Sequence, residues 1–192
     1  MKSKLLAIAS AALLATGAIT GCSTTTTVAG GTDPIAKRQT IEAGIDNALA
    51  RLYAQDPSSR EMIAKARGVL VFPTVVSAGL VVGGSYGQGA LRIDGRTAEY
   101  YSTAAGSVGL LAGADSKAVF LLFMTDESLQ KFRSSKGWTV GADASVTVLN
   151  TGANAQLDTK TAQQAIIGYV LNNGGLMANL SLEGTKITPL AM

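Results

Sequence analysis

The chain has 192 residues, 47% hydrophobic but only 5% aromatic and 15% charged, with 16 basic and 13 acidic residues, one cysteine and no histidine. Those counts exclude histidine-dependent triads, disulfides within the chain and the common zinc ligand sets. The two signs of charge are interspersed along the chain, which leaves no concentrated basic surface for nucleic acid.

Residues 1–21 carry Lys2 and Lys4, an apolar stretch from Leu5 to Ile19 and the small pair Thr20-Gly21, the layout of a secretory signal peptide. Its removal leaves 171 residues with 14 basic and 13 acidic side chains. An apolar core must hold these together, and at this size it buries roughly 70% of the unfolded surface. The run Ile19-Thr20-Gly21-Cys22 resembles the bacterial lipobox, which implies that the Cys22 thiol takes a diacylglycerol and that its freed amine is acylated. Each buried methylene contributes about 0.8 kcal/mol, so two or three chains make the attachment permanent. By the same resemblance, Ser23 in place of an aspartate implies the outer membrane of a Gram-negative cell. Residues 22–33 (CSTTTTVAGGTD) are small and polar and read as a lipidated, flexible tether before a domain over 34–192.

Asp33 followed by Pro34 is an N-cap with proline at the first helical position. Beyond it Ile41, Ile45, Ala48, Leu49, Leu52 and Tyr53 recur at helical spacing, until Asp56-Pro57 ends the helix. A second, shorter helix follows the capping-box pattern Ser58-Ser59-Arg60-Glu61, with Met62, Ile63 and Ala66 apolar.

After Arg67 the texture becomes short β-branched runs punctuated by glycine, predicting strands over 68–72, 78–82, 87–93, 96–102, 107–112 and 117–125. Asp94-Gly95 marks a tight hairpin. A short helix over 126–132 is predicted with Thr125 as its cap, then strands over 138–149, 165–172 and 176–182, with turns at Thr151-Gly152 and Gly174-Gly175. The 24 uncharged residues from Gly68 to Leu91 match a membrane span in length. Pro73 and five glycines beyond Gly68 break them into blocks, so they read as strands of a sheet buried on both faces. The low aromatic content argues against an outer-membrane barrel.

The run Ala66-Arg67-Gly68-Val69-Leu70-Val71-Phe72-Pro73, with Gly79-Leu80-Val81-Val82-Gly83-Gly84-Ser85-Tyr86-Gly87-Gln88-Gly89 after it, resembles the opening signature of the SYLF domain. Gly106-Ser107-Val108-Gly109, Gly141-Ala142-Asp143-Ala144-Ser145-Val146 and the segment from Gly174 to Gly184 resemble its later pieces in order, so the resemblance covers about 34–187. It implies a lipid-binding module. Eukaryotic relatives bind phosphoinositide membranes, partly through an N-terminal amphipathic helix, and some fungal relatives bind actin filaments. Bacterial relatives are typically secreted or lipoproteins, for which the lipid-binding part transfers and the actin-binding part does not.

Among headgroup-binding candidates, Lys37 and Arg51 flank the first helix's apolar stripe, as in an interfacial helix. Glu42 and Asp46 occupy the other flank and would repel anionic lipid; the alternative is a stripe packed on the sheet, with Arg38 and Glu42 as a surface pair. Arg60, Lys65 and Arg67 form a tighter basic group beside the family signature. The glycine cluster from Gly83 to Gly89 matches neither the dinucleotide fingerprint nor the P-loop and reads as a turn or bulge. Tyr86, Tyr100, Tyr101 and Trp138 read either as core or as the lining of an amphiphile pocket. Asp143, the one acid inside a predicted apolar strand, is the place to look for a buried catalytic carboxylate, but no carboxylate pair is singled out and neither catalysis, metal nor cofactor is expected.

The sequence thus predicts an α+β domain: a glycine-rich, mostly antiparallel sheet, sandwich- or barrel-like, with short N-terminal helices. The expected function is non-catalytic binding of anionic phospholipid or phosphoinositide-like headgroups by an acyl-anchored outer-membrane lipoprotein. The alternative is a structural or adaptor lipoprotein that binds an envelope protein.

Overall fold

Asp33 starts the first helix as its sequence dictates: the carboxylate accepts a hydrogen bond from the Ile35 amide at 3.0 Å, and α1 runs over Pro34–Gln55. The computed structural model describes residues 33–79, 82–108, 113–149, 164–172, 175–176 and 182–192. The predicted signal peptide, Cys22, the tether before Asp33 and the turn at Thr151-Gly152 lie outside the described residues, as do parts of the strands predicted over 107–112 and 176–182. One compact unit spans Thr32–Met192.

Helix α1 buries Ile41, Ile45, Ala48 and Leu52, the predicted stripe. Helix α2, Ser59–Lys65, follows, but without the capping box. Ser58 makes no side-chain cap. Its amide and hydroxyl both donate to the buried carboxylate of Asp56, and Ser59 Oγ donates to the Asp56 carbonyl. The turn between the helices therefore outcompetes the cap for the serines.

Four strands, β1 (Gly68–Gly79), β2 (Val82–Ile93), β3 (Arg96–Val108) and β4 (Gly113–Phe123), form where six were predicted: the described residues of the strand predicted over 78–82 are divided between the end of β1 and the start of β2, and residues 107 and 108 of that predicted over 107–112 end β3. The break expected at Pro73 is a bulge inside β1, where Phe72-Pro73 are accommodated between the pairs Val71–Ala90 and Thr74–Gln88. The prolyl residue lacks an amide to donate, and the bulge keeps it out of the ladder. Asp94-Gly95 forms the hairpin, both residues having positive φ (51° and 75°). Helix α3, Asp126–Ser134, is capped by Thr125, whose side chain accepts from the Ser128 amide.

The strand predicted over 138–149 is two short ones, β5 (Trp138–Thr139) and β6 (Thr147–Val148), separated by a turn. Strands β7 (Ile166–Asn172), β8 (Gly175–Leu176) and β9 (Lys186–Pro189) complete the sheet, the last without a sequence signal. The order is β5-β9-β3-β2-β1-β4-β7-β6, with β8 on β7, and every pairing is antiparallel except β6–β7. The fold is α+β, its sheet curled into a half-barrel.

Both faces of the sheet are buried around Val69–Phe72 and Ala118–Phe123, and strand alternation sorts the core into two. Val69, Val71, Phe120, Leu122, Ile167 and Tyr169 face α1 and α2. Leu70, Phe72, Val119, Leu121, Phe123 and Val170 face the concave side, where Leu129 and Phe132 of α3 pack with Tyr101 and Trp138. Phe132 lies 4.9 Å from Tyr101 and 5.5 Å from Trp138 between ring centroids, so one end of the concave side is closed by aromatic packing. Among the described residues no helix is long and apolar enough to cross a membrane.

Candidate functional site

Away from the aromatic plug, the curled sheet encloses a cavity of about 340 Å³. Its base is apolar, built by Phe72, Val75, Val119, Leu121 and Ile187, and its mouth carries Ser77, Ser85, Asp115, Lys117 and Glu183. Strand β4 supplies the gradient. Residues 121, 119, 117 and 115 all turn inward at the two-residue period, and they lead from the plugged end at Phe123 toward Gly113.

Lys117 is half-buried and makes no ion pair within 4.0 Å among the described residues. Burial pushes its ammonium below the usual lysine range, and the nearby Asp115 offsets this only in part. A desolvated cation beside an apolar cavity is an anion-binding arrangement. Thr103, 5% exposed, adds a hydroxyl-bearing side chain to the same wall.

The predicted headgroup residues sit elsewhere, each with its own surroundings. Arg51 donates to the Asn172 carbonyl at 2.8 Å, and the Arg60 guanidinium lies 4.2 Å from the Tyr53 ring centroid. Lys65 pairs with Glu61 at 2.6 Å and Arg67 with Asp126 at 3.6 Å, while Lys37 is partly exposed on α1. None of the five lines the concave cavity. A second cavity, of about 380 Å³, lies between the helices and the sheet beside Tyr53, Ile63, Ala66 and Arg92, and none of the five lines it either.

Glu42 and Asp46 are not a free acidic flank. Arg92 of β2 reaches Glu42 at 2.9 Å and Asp46 at 2.8 Å, and Thr97 and Tyr100 also donate to Glu42. Burial alone would raise the Glu42 carboxyl, but these three donors hold it below its ordinary range. The surface pair expected between Arg38 and Glu42 does not form. Arg38 stacks over Tyr100 and donates to the Met192 carbonyl, so α1 is fastened to the sheet by its acids.

Tyr101 and Trp138 are core, and neither they nor Tyr100 lines the concave cavity; Tyr86 is exposed on the convex face. The glycine cluster runs inside β2 and faces the β1 bulge. A Cβ on Gly89 would stand 2.0 Å from the Val71 carbonyl oxygen, which is the close approach expected of it. Asp143 belongs to an exposed turn, where its carboxylate accepts from the Thr139 amide at 2.6 Å. It is not buried in a strand.

Sequence reading missed Lys117 and Asp115. Their signal was parity: both share the inward register of Val119, Leu121 and Phe123, so a strand pattern that buries 119, 121 and 123 must turn 115 and 117 to the same side.

The helix-backed, curled sheet thus holds a cavity with an apolar base and, among the described lining residues, one cation at its mouth. Residues 104–191 match the family described as Ysc84, Las17-binding protein actin regulator, consistent with the SYLF resemblance; that family is associated with lipid binding and actin-regulatory roles. No curated protein matches the chain.

Proposed function

We propose that the protein is a non-catalytic, lipid-binding envelope lipoprotein of the outer membrane, anchored by acyl chains on Cys22. The domain holds the apolar part of an amphiphile in the concave cavity and its anionic group at Lys117. The half-buried Lys117, which makes no ion pair within 4.0 Å among the described residues and stands at the mouth of a cavity with an apolar base, carries this reading. Lys37, Arg51 and Arg60, which have no carboxylate partner within 4.0 Å among the described residues, supply contact with an anionic bilayer.

The test uses the chain from Ser23 onward, which retains every described residue, in co-sedimentation with phosphatidylcholine vesicles with and without anionic phosphatidylglycerol. Binding to the anionic vesicles that weakens with salt and in the Lys117→Met variant is expected; no binding to either vesicle refutes the reading.

A second reading, an adaptor that binds an envelope protein, rests on Val76, Val82 and Tyr86, which are 48%, 73% and 53% exposed on the convex end of β1 and β2. Pairing of Val76 with Tyr86 puts these side chains on one uncovered face. Vesicle binding unchanged by Lys117→Met but lost in Val82→Asp would favour that face over the cavity.

A further inference from the structure

The cavity mouth has a direction as well as a charge. Along β4 the inward side chains run Leu121, Val119, Lys117, Asp115 from the closed end to the open one, so the order is apolar, apolar, cation, anion. Successive members stand about 7 Å apart, two residues of antiparallel strand. Asp115 is exposed, whereas Lys117 is half-buried, and they form no ion pair within 4.0 Å. Glu183 adds a second carboxylate to the lining. Along β4 the mouth therefore presents a positive group deep and a negative group further out.

Resting on the lipid-binding reading, we infer that the cavity takes a single-chain zwitterionic amphiphile: its tail against Val119 and Leu121, its phosphate at Lys117 and its ammonium toward Asp115. The complementarity is ordered, since such a molecule runs tail, anion, cation from the closed end outward. A purely anionic headgroup would satisfy Lys117 but bring its remaining oxygens against Asp115. The volume sets the chain count. At about 340 Å³ the cavity lies at the small end of the range for ligand pockets, roughly 300–1,000 Å³, which suits one acyl chain.

The experiment is displacement of a dansylated fatty acid from the chain beginning at Ser23. The competitors are lysophosphatidylethanolamine and lysophosphatidylglycerol of one twelve-carbon chain, below their micelle concentrations. The ethanolamine lipid should bind about threefold tighter, the scale of one exposed ion pair. Asp115→Asn should bring the two lipids level, and Asp115→Lys should reverse the order. Lys117→Met should weaken both about tenfold. Because Asp115 is exposed, its variants keep the fold, and a thermal melt of each confirms this. Equal or tighter binding of the glycerol lipid by the wild type, or a ratio unmoved in Asp115→Asn, would overturn the zwitterionic assignment while leaving lipid binding intact. Displacement by neither lipid would overturn both.

Discussion

Two partly buried cations make a natural comparison, and substituting each by methionine separates a group kept for a ligand from one kept for the fold. Burial works against both. At Arg92 the opposing effect wins, because Glu42 and Asp46 lie within 2.9 Å and raise its pKa above the usual value; at Lys117 it does not, and the pKa is lowered. Arg92→Met strands Glu42, whose side chain is only 31% exposed, and should cost about 2 kcal/mol, below the full penalty of breaking a deeply buried pair. Lys117→Met removes a desolvated charge and leaves a flexible apolar chain in an apolar wall, so it should raise stability by about 1 kcal/mol. For a domain of this size that is a gain of about 2–4 °C in Tm.

The sign with pH follows. Between the lowered folded value and the ordinary 10.5, the unfolded chain binds more protons at Lys117 than the folded one. Its burden on the wild type is therefore full below the folded pKa and fades as pH rises toward 10.5, so the advantage of Lys117→Met should shrink over that interval. Urea unfolding of the three proteins at pH 7 and pH 10, with unchanged m values, measures this. A Lys117→Met variant that loses as much stability as Arg92→Met would refute the reasoning and make Lys117 a structural residue.

Three further outcomes follow from single contacts. Glu42→Gln should cost about 1–2 kcal/mol at pH 7 through its three donors, and since the folded Glu42 pKa lies below 4.5, that difference should persist above 4.5 and vanish as acid titrates the wild type through the folded value; acid-unfolding curves of the pair report it. Gly89→Ala should destabilise by about 3 kcal/mol because a backbone oxygen blocks the methyl at 2.0 Å, whereas Gly106→Ala, with nothing within 4 Å, should stay within about 0.5 kcal/mol in the same melts. Tyr169→Phe should stabilise by about 1 kcal/mol, since the buried hydroxyl has no hydrogen-bond partner among the described residues and burial pushes its pKa up to about 12.

Elements whose signals are local were readable in the sequence. Asp33-Pro34, Thr125 and Asp94-Gly95 act through their own neighbours, and each cap or turn forms as read. The errors arise where a distant strand decides. Pro73 and the glycines from Gly83 to Gly89 look like breaks in isolation, but β1 and β2 absorb them together, the bulge of one opposite the bare backbone of the other. Ser58 has a capping-box sequence and is claimed instead by a buried Asp56. β9 has no pattern of its own because it pairs with four residues on the open side of β3 and buries only Ile187.

The same distinction explains why the basic residues were legible and the cavity was not. Arg60, Lys65 and Arg67 are conspicuous because they are close in sequence, but an exposed side chain in a near-neutral chain finds its own partner: Tyr53, Glu61 and Asp126 here. Lys117 is a single cation between Asp115 and Val119, and nothing local distinguishes it. The role proposed for it comes from the curl of the sheet, which brings β1, β3, β4 and β9 around one space and partly shields the side chain from water. A charge held there meets a weaker screen than one on α1 or α2, so on the proposed lipid-binding reading one lysine inside the curl discriminates among headgroups more strongly than the four candidate cations on the helices or Arg67 beyond them.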